Sequence, residues 1–372
     1  MPDPISDPDS MSGQDDLPDK LQRLAQIARD HGLATLVLRS PATLSWLTGA
    51  RSNVPHTLDA ACYDVVIENA STQPSLRIVT NTIERPRLAD TELGDLPAQW
   101  TAVAWWQDRA RALPTGPDVG ADTGLPGRVD VSMPVAKIRR ALTALQRRRL
   151  RRLGADAATA MSSAAALVDP AMTEYRAAGL IAQQLLDRAM EPVCLFVAGG
   201  TRMGAHRHPL PTTRPLGPRA SLVCCARRDG LIASVTRIVC LDPPTAADQS
   251  RYRALLQVEA AFLDATYANV RLGDAFAAGV ASYPQCGFDH DEWTRHHQGG
   301  LSGWQPREFL AHSSSDVRVP EHAVVAWNPS AESWKVEDTC LVTADGVEPL
   351  VTDPHWPTVV VAGRPRPDLL IR

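Results

Sequence analysis

Apolar residues at Leu21, Leu24, Ile27 and Ala28 recur at helical spacing ahead of Gly32, so "DKLQRLAQIARDHG" predicts an amphipathic helix. The unbroken apolar run "LATLVLR" then predicts a buried strand. "SPATLSWLTG" predicts a short helix with Ser40 as N-cap, Pro41 at the first position and Gly49 as its stop. "CYDVVIE" and "LRIVT" read as further strands. Helix alternating with strand predicts a small N-terminal α/β domain, taken as residues 19–135.

The run "AKIRRALTALQRRRLRRLG" predicts one basic connecting helix over 136–154, with the domain boundary near Gly154. No aromatic or Gly-rich element accompanies it, so it reads as a solvated helix pairing with acidic neighbours rather than a nucleic-acid surface. A helix over about 173–190 and the strand "VCLFVAGG" follow. The strands "SLVCCAR" and "LIASVTRIVCL" are joined by "RDG", a hairpin signal. Two helices at about 247–268 and 273–284 come next, then strands near 322–328 and 336–343. This order predicts an α+β fold over 155–350, with helices on a curved antiparallel sheet, and 351–372 as a C-terminal tail.

Composition narrows the function classes. The 372 residues exceed one ordinary core and imply two domains. A net charge of −4 gives no reason to expect nucleic acid as a partner. No apolar run approaches the roughly 18 residues of a membrane span, and the start "MPDPISDPDSMSGQDDLPD" has no secretory core. Residues 1–18 read as a disordered acidic tail. The seven cysteines lack zinc-type spacing and sit largely in apolar runs, as reduced thiols of a cytoplasmic protein do. Lysine occurs only at Lys20, Lys137 and Lys335.

Candidate chemistry gathers in the second half. "HRHPLPTTR" carries His206 and His208, and "ASVTR" carries Ser234, Thr236 and Arg237. "DEWTRHHQGGLSGWQPRE" carries His296, His297, Gln298, Arg307 and Glu308, and "WNPSAESWKVEDT" carries Asn328, Lys335, Glu337 and Asp338. Adjacent residues on a strand face opposite sides, so only one of His296 and His297 is expected in a pocket. Which one stays open, as does the choice between His206 and His208. Glycines at 299, 300 and 303 permit close approach of a backbone or ligand. Trp293, Trp304, Trp327 and Trp334 suit an apolar wall, or simply a core.

With these motifs in this order, the chain resembles the creatinase / aminopeptidase P / methionine aminopeptidase superfamily from about residue 20 to 350. The matching runs are "TLSWLTG", "HPLPTTRPL", "GLIASVTRIV", "HHQGGLSG" and "VEDTCLVT". The resemblance implies a creatinase-type N-terminal domain, a pita-bread catalytic domain and a homodimer. It also implies five ligands for two metal ions, and most are missing here. No carboxylate lies at Val223–Cys225, and the next position is Ser234. The metal histidine falls at Gly300, a glutamate becomes Asn328, and only Glu337 persists. One carboxylate and neutral oxygens cannot offset the dehydration of two divalent cations. The reading is therefore a site with no metal and no cofactor.

Creatinase itself cleaves a C–N bond without metal, and the remaining groups fit that logic. His208 and His297 would exchange protons, and Glu337 would orient an imidazole or act as base. Arg237 and Arg307 would clamp a substrate carboxylate. His206, His296, Gln298, Glu308, Asn328 and Lys335 complete the expected substrate contacts, with Lys335 sharing the face of Glu337. Three functions follow: a metal-independent C–N hydrolase or lyase acting on a small amino-acid-like amide, amidine or guanidino compound; a pseudoenzyme binding a small molecule or protein; and a metal-dependent Xaa-Pro peptidase with atypical ligands.

Overall fold

Residues 16–51 and 61–372 are described by the computed structural model, in two compact units that divide between Arg139 and Arg140. Residues 1–15 of the expected acidic tail lie outside the described residues. Leu17 and Pro18 already belong to the first helix, which Asp16 and Lys20 close with a 2.6 Å ion pair across its first turn.

In the first unit α1 (Leu17–Asp30), β1 (Thr35–Leu38), α2 (Pro41–Thr48), β2 (Tyr63–Glu68) and β3 (Ser75–Asn81) follow the apolar pattern closely. Ser40 caps α2 by accepting from the Thr43 amide, and Gly49 ends it at φ +71°. Then come α3 (Glu84–Arg87), β4 (Ala98–Val103), β5 (Val119–Ala121), β6 (Val129–Asp130) and α4 (Ser132–Arg139). The six strands form one mixed sheet in the order β4-β3-β2-β1-β5-β6.

The second unit begins with α5 (Ala144–Ala165), so the single helix expected over 136–154 is in fact two. The cause is local: Thr143 and Gln146 form a capping box that starts a new helix after a break. The expected boundary near Gly154 is thus displaced to 139/140. Gly154 has another task, because a Cβ there would come 2.6 Å from the Leu350 carbonyl oxygen. Arg151 reaches Glu348 at 2.7 Å, the acidic pairing expected of the basic run.

Beyond α5 lie α6 (Glu174–Leu186), β7 (Glu191–Gly199), α7 (Arg202–Ala205), β8 (Arg219–Arg228) and β9 (Leu231–Cys240). The β8–β9 hairpin turns through Asp229 at φ +51° and Gly230 at φ +80°, as the "RDG" signal predicts. Helices α8 (Ala246–Asp264) and α9 (Leu272–Gln285) follow. The remaining strands are β10 (Gly299–Ser302), β11 (Phe309–Leu310), β12 (Val324–Trp327), β13 (Ser330–Ala331), β14 (Trp334–Lys335), β15 (Asp338–Thr343), β16 (Gly346–Pro349), β17 (Thr358–Val361), β18 (Arg364–Pro367) and β19 (Leu370–Ile371). The main sheet runs β11-β10-β12-β15-β9-β8-β7, antiparallel throughout, with β16 added on β15 and β19 parallel to β9.

Residues 351–372 are therefore no tail. Arg366 of β18 enters the core and pairs with Glu259 of α8 at 2.5 Å and with Asp338 of β15 at 3.0 Å. Asp338 in turn receives Arg237 of β9 at 2.7 Å. All four side chains are at most 3% exposed. The pattern of apolar residues could not show this, because Arg366 is polar in a Pro-rich stretch and its partners lie far away in sequence.

Arg366→Met leaves Glu259 buried without its cation and is expected to cost about 3–5 kcal/mol in chemical denaturation. Arg151→Ala, which breaks a half-exposed pair, is expected to cost less than about 1 kcal/mol.

Candidate active site

The period of two along the central strands decides which groups face the site. Val223 opposes Thr236, and Cys225 opposes Ser234 with Sγ 3.4 Å from Oγ. Glu337 precedes β15, and its carbonyl accepts the Thr236 amide at 2.8 Å. Its neighbour Asp338 points the other way, to Arg237, so the Glu337 carboxylate lies on the Ser234 side.

Over this face three imidazoles converge. His208 Nε2 and His296 Nε2 are 3.0 Å apart, and the His296 and His297 ring centroids are 4.4 Å apart. One ring nitrogen from each of the three lies within 4.8 Å of the others. His208 is exposed and stacks on Phe196 of β7 at 5.0 Å, whereas His296 is 8% exposed. Nδ1 of His296 and Nδ1 of His297 are buried and have no hydrogen-bond partner.

Both histidines of the pair join the cluster, contrary to the expectation of one. They are not on a strand: a short 3-10 turn, Glu292–Arg295, ends at His296, and β10 begins only at Gly299. Strict alternation does not apply there. His206 stays outside the cluster, exposed at the end of α7, and lines a cavity of about 20 Å³ with Lys335, little more than the room for one water.

Buried carboxylates hold the loops that carry the rings. Glu292 receives Arg207 at 2.5 Å and the Glu332 amide at 3.2 Å, tying the segment of His208 to that of His296. Glu174, at the start of α6, accepts the amides of Gly199 and Thr212 and the guanidinium of Arg202. Neither acid, nor Phe196, stands out in the sequence as a site residue. The signal at Glu174 was its place after the N-cap Thr173; Glu292 carried none beyond proximity to the histidines.

Several assigned roles change. Arg237 cannot clamp a substrate carboxylate, since it is locked on the opposite face between Asp338, the Thr236 carbonyl and the Val351 carbonyl. Gln298 is a strut: its amide donates to the carbonyls of Trp293 and His296 while Tyr283 donates to its Oε1. Asn328 is buried, with its backbone amide on the Gln298 carbonyl and its own Oδ1 unpartnered. Arg307 donates to Glu337 Oε1 at 2.6 Å and so neutralises that acid. Its Nε is buried without a partner. Glu308 is half-buried beside it, its amide on the Leu301 carbonyl.

The charges act on one another. Burial alone would raise the Glu337 carboxyl, yet Arg307 and Lys335 hold it below the ordinary carboxylate range. Burial, reinforced by Arg307, lowers the Lys335 amine. Burial, then Lys335, lowers His208 and drives His296 far below a free imidazole. Burial and Arg307 lower His297 to about 4. The three rings are thus neutral near pH 7, able to accept or relay protons.

The positions at which the resemblance would place ligands for two ions do not fit such a pair. The strand positions carry Val223, Cys225 and Ser234, and Asn328 offers a neutral oxygen. Gly300 has φ +144°, and a Cβ there would lie 2.3 Å from the Phe309 carbonyl oxygen. Glu337 already has a cation in Arg307.

The sequence pattern of Metallopeptidase family M24 matches residues 148–344. No curated protein matches the chain by sequence. Among solved structures, a dipeptidase PepE from Mycobacterium ulcerans is 18% identical, with TM-score 0.74 over 95% of this chain and 97% of that one. A Pyrococcus horikoshii prolidase is 13% identical, with TM-score 0.74 over 90% of this chain and 98% of that one. A Bacillus anthracis Xaa-Pro dipeptidase is 14% identical, with TM-score 0.73 over 96% of this chain and 100% of that one.

A depressed imidazole has a stability signature with a definite sign. Free histidine titrates near 6.5, and folded His297 at about 4. Between those values the unfolded chain binds more protons, so stability present above about pH 6.5 is lost as pH falls toward 4. The Tm is expected to drop through that window, and less steeply in His297→Asn. Equal slopes would show that His297 is not held neutral.

Proposed function

Because the chain belongs to metallopeptidase family M24 and has its pita-bread fold, we propose that it cleaves a C–N bond of a small amino-acid-like amide, amidine or guanidino compound. In this reading His208, His296 and His297 do the proton work in place of the two-ion centre. The observation that carries it is the pairing of neutral imidazoles at 3.0 Å over a Glu337 already neutralised by Arg307.

The geometry supports the following division of labour. His208, the exposed ring, takes a proton from water as it attacks the substrate carbon. The Nε2–Nε2 contact lets His208 and His296 share that proton, and the leaving nitrogen takes it back from His208 as the C–N bond breaks, with His297 beside the pair. Such acid–base assistance contributes roughly 10²–10⁴-fold. Arg307 Nε, a buried donor without a partner, stabilises the negative charge that develops on the substrate oxygen or nitrogen. Glu337 fixes Arg307 rather than serving as base. Gln298, Glu292 and Glu174 are positioning residues for the loops of the rings. A homodimer and a cytoplasmic location accompany this reading on family likeness alone.

A second reading, an Xaa-Pro peptidase that holds ions with an atypical ligand set, draws on the dipeptidase and prolidase names of the fold neighbours. Chelator-treated protein separates the two on a panel of amides, amidines, guanidino compounds and Xaa-Pro dipeptides. Turnover that persists in chelator and falls roughly 10²–10⁴-fold in His208→Ala supports the first. Turnover only after Mn²⁺ or Co²⁺ is added supports the second. Binding of a panel compound without turnover under either condition would leave a ligand-binding pseudoenzyme.

A further inference from the structure

We propose that His208, His296 and His297 also form a site for one borderline transition-metal ion such as Zn²⁺, and that its occupation blocks the imidazole chemistry. The site is distinct from the position of the family's two ions: it uses none of Val223, Ser234, Gly300, Asn328 or Glu337. Its inhibitory half rests on the function proposed above; its binding half does not.

Three observations carry it. One nitrogen from each ring already lies within 4.8 Å of the other two. The two Nε2 atoms at 3.0 Å are close to the separation of about 3.3 Å that two ligands have in a tetrahedral zinc site with Zn–N bonds near 2.0–2.1 Å. His296 is only 8% exposed and its carbonyl is tied to the Gln298 amide at 2.6 Å, so the ring that meets His208 is held in place before an ion arrives.

The surroundings set entry and strength. His208 is exposed and gives the ion a way in, and three imidazoles leave a fourth position for water, the arrangement of an open zinc site. Arg307 and Arg207 are each neutralised, by Glu337 and Glu292. Lys335 acts on all three rings and is the charge that opposes a dication. An ion in place ties up the lone pairs that would accept protons, so the bound form is silent.

The test uses the full chain, stripped with chelator and then titrated with Zn²⁺ by calorimetry and with Co²⁺ by visible absorption. One saturable ion per chain is expected, with the intense absorption of four-coordinate Co²⁺. His208→Ala, at an exposed position, and His297→Ala should each weaken binding beyond the roughly 10–100-fold cost of an outer-shell change. Lys335→Met should tighten it several-fold. His290→Ala, in the exposed Asp289–His290–Asp291 group, should leave it unchanged. Binding that survives both triad variants, depends on His290, or fails to saturate below millimolar Zn²⁺ overturns the site. Turnover should fall in step with occupancy; turnover unaffected by a fully bound ion overturns the inhibitory half. A chain that binds Zn²⁺ yet never turns over when metal-free leaves the site standing and removes the proposed function.

Discussion

Two adjacent carboxylates, Glu337 and Asp338, organise the second unit because a strand sends neighbouring side chains to opposite faces. On one face Asp338 joins Arg237, Arg366 and Glu259 in a buried network that draws β18 and α8 onto the central strands. On the other, Glu337 takes Arg307 and feels Lys335, which fixes the electrostatics beneath the imidazoles. Neither acid could be buried uncompensated, since an isolated charge in a protein interior costs several kcal/mol or more. The arginines therefore determine both how this half of the chain closes and what field its site contains.

Much of the architecture was legible in local pattern. Apolar periodicity marks α1, Ser40 and Gly49 bracket α2, and "RDG" marks the β8–β9 turn. These are features that a few neighbouring residues decide. What escaped depends on partners distant in sequence: Arg366 meeting Glu259, Arg207 meeting Glu292, and Arg237 turned away from the site. The break at 140–143 was local and visible in principle, as a Thr-x-x-Gln capping signal inside a basic run.

The site was legible in its chemistry but not in its geometry. His208, His297, Arg307 and Glu337 lie close enough to act on one another's charge, a nearness that motif order by itself does not establish. The assignment of a face to each histidine failed because it assumed strand backbone where a 3-10 turn gives way to irregular chain. The arginine roles shifted for a further reason. A guanidinium read from sequence looks available to substrate, whereas burial obliges it to find a carboxylate of its own.

Gly300 fixes how closely two strands beside the site approach each other. Its positive-φ backbone brings the Phe309 carbonyl to where any side chain would begin, so a side chain at that position would collide with the adjoining strand. Any larger residue there would thus cost the sheet its register, so this one glycine sets what the β10–β11 edge can tolerate.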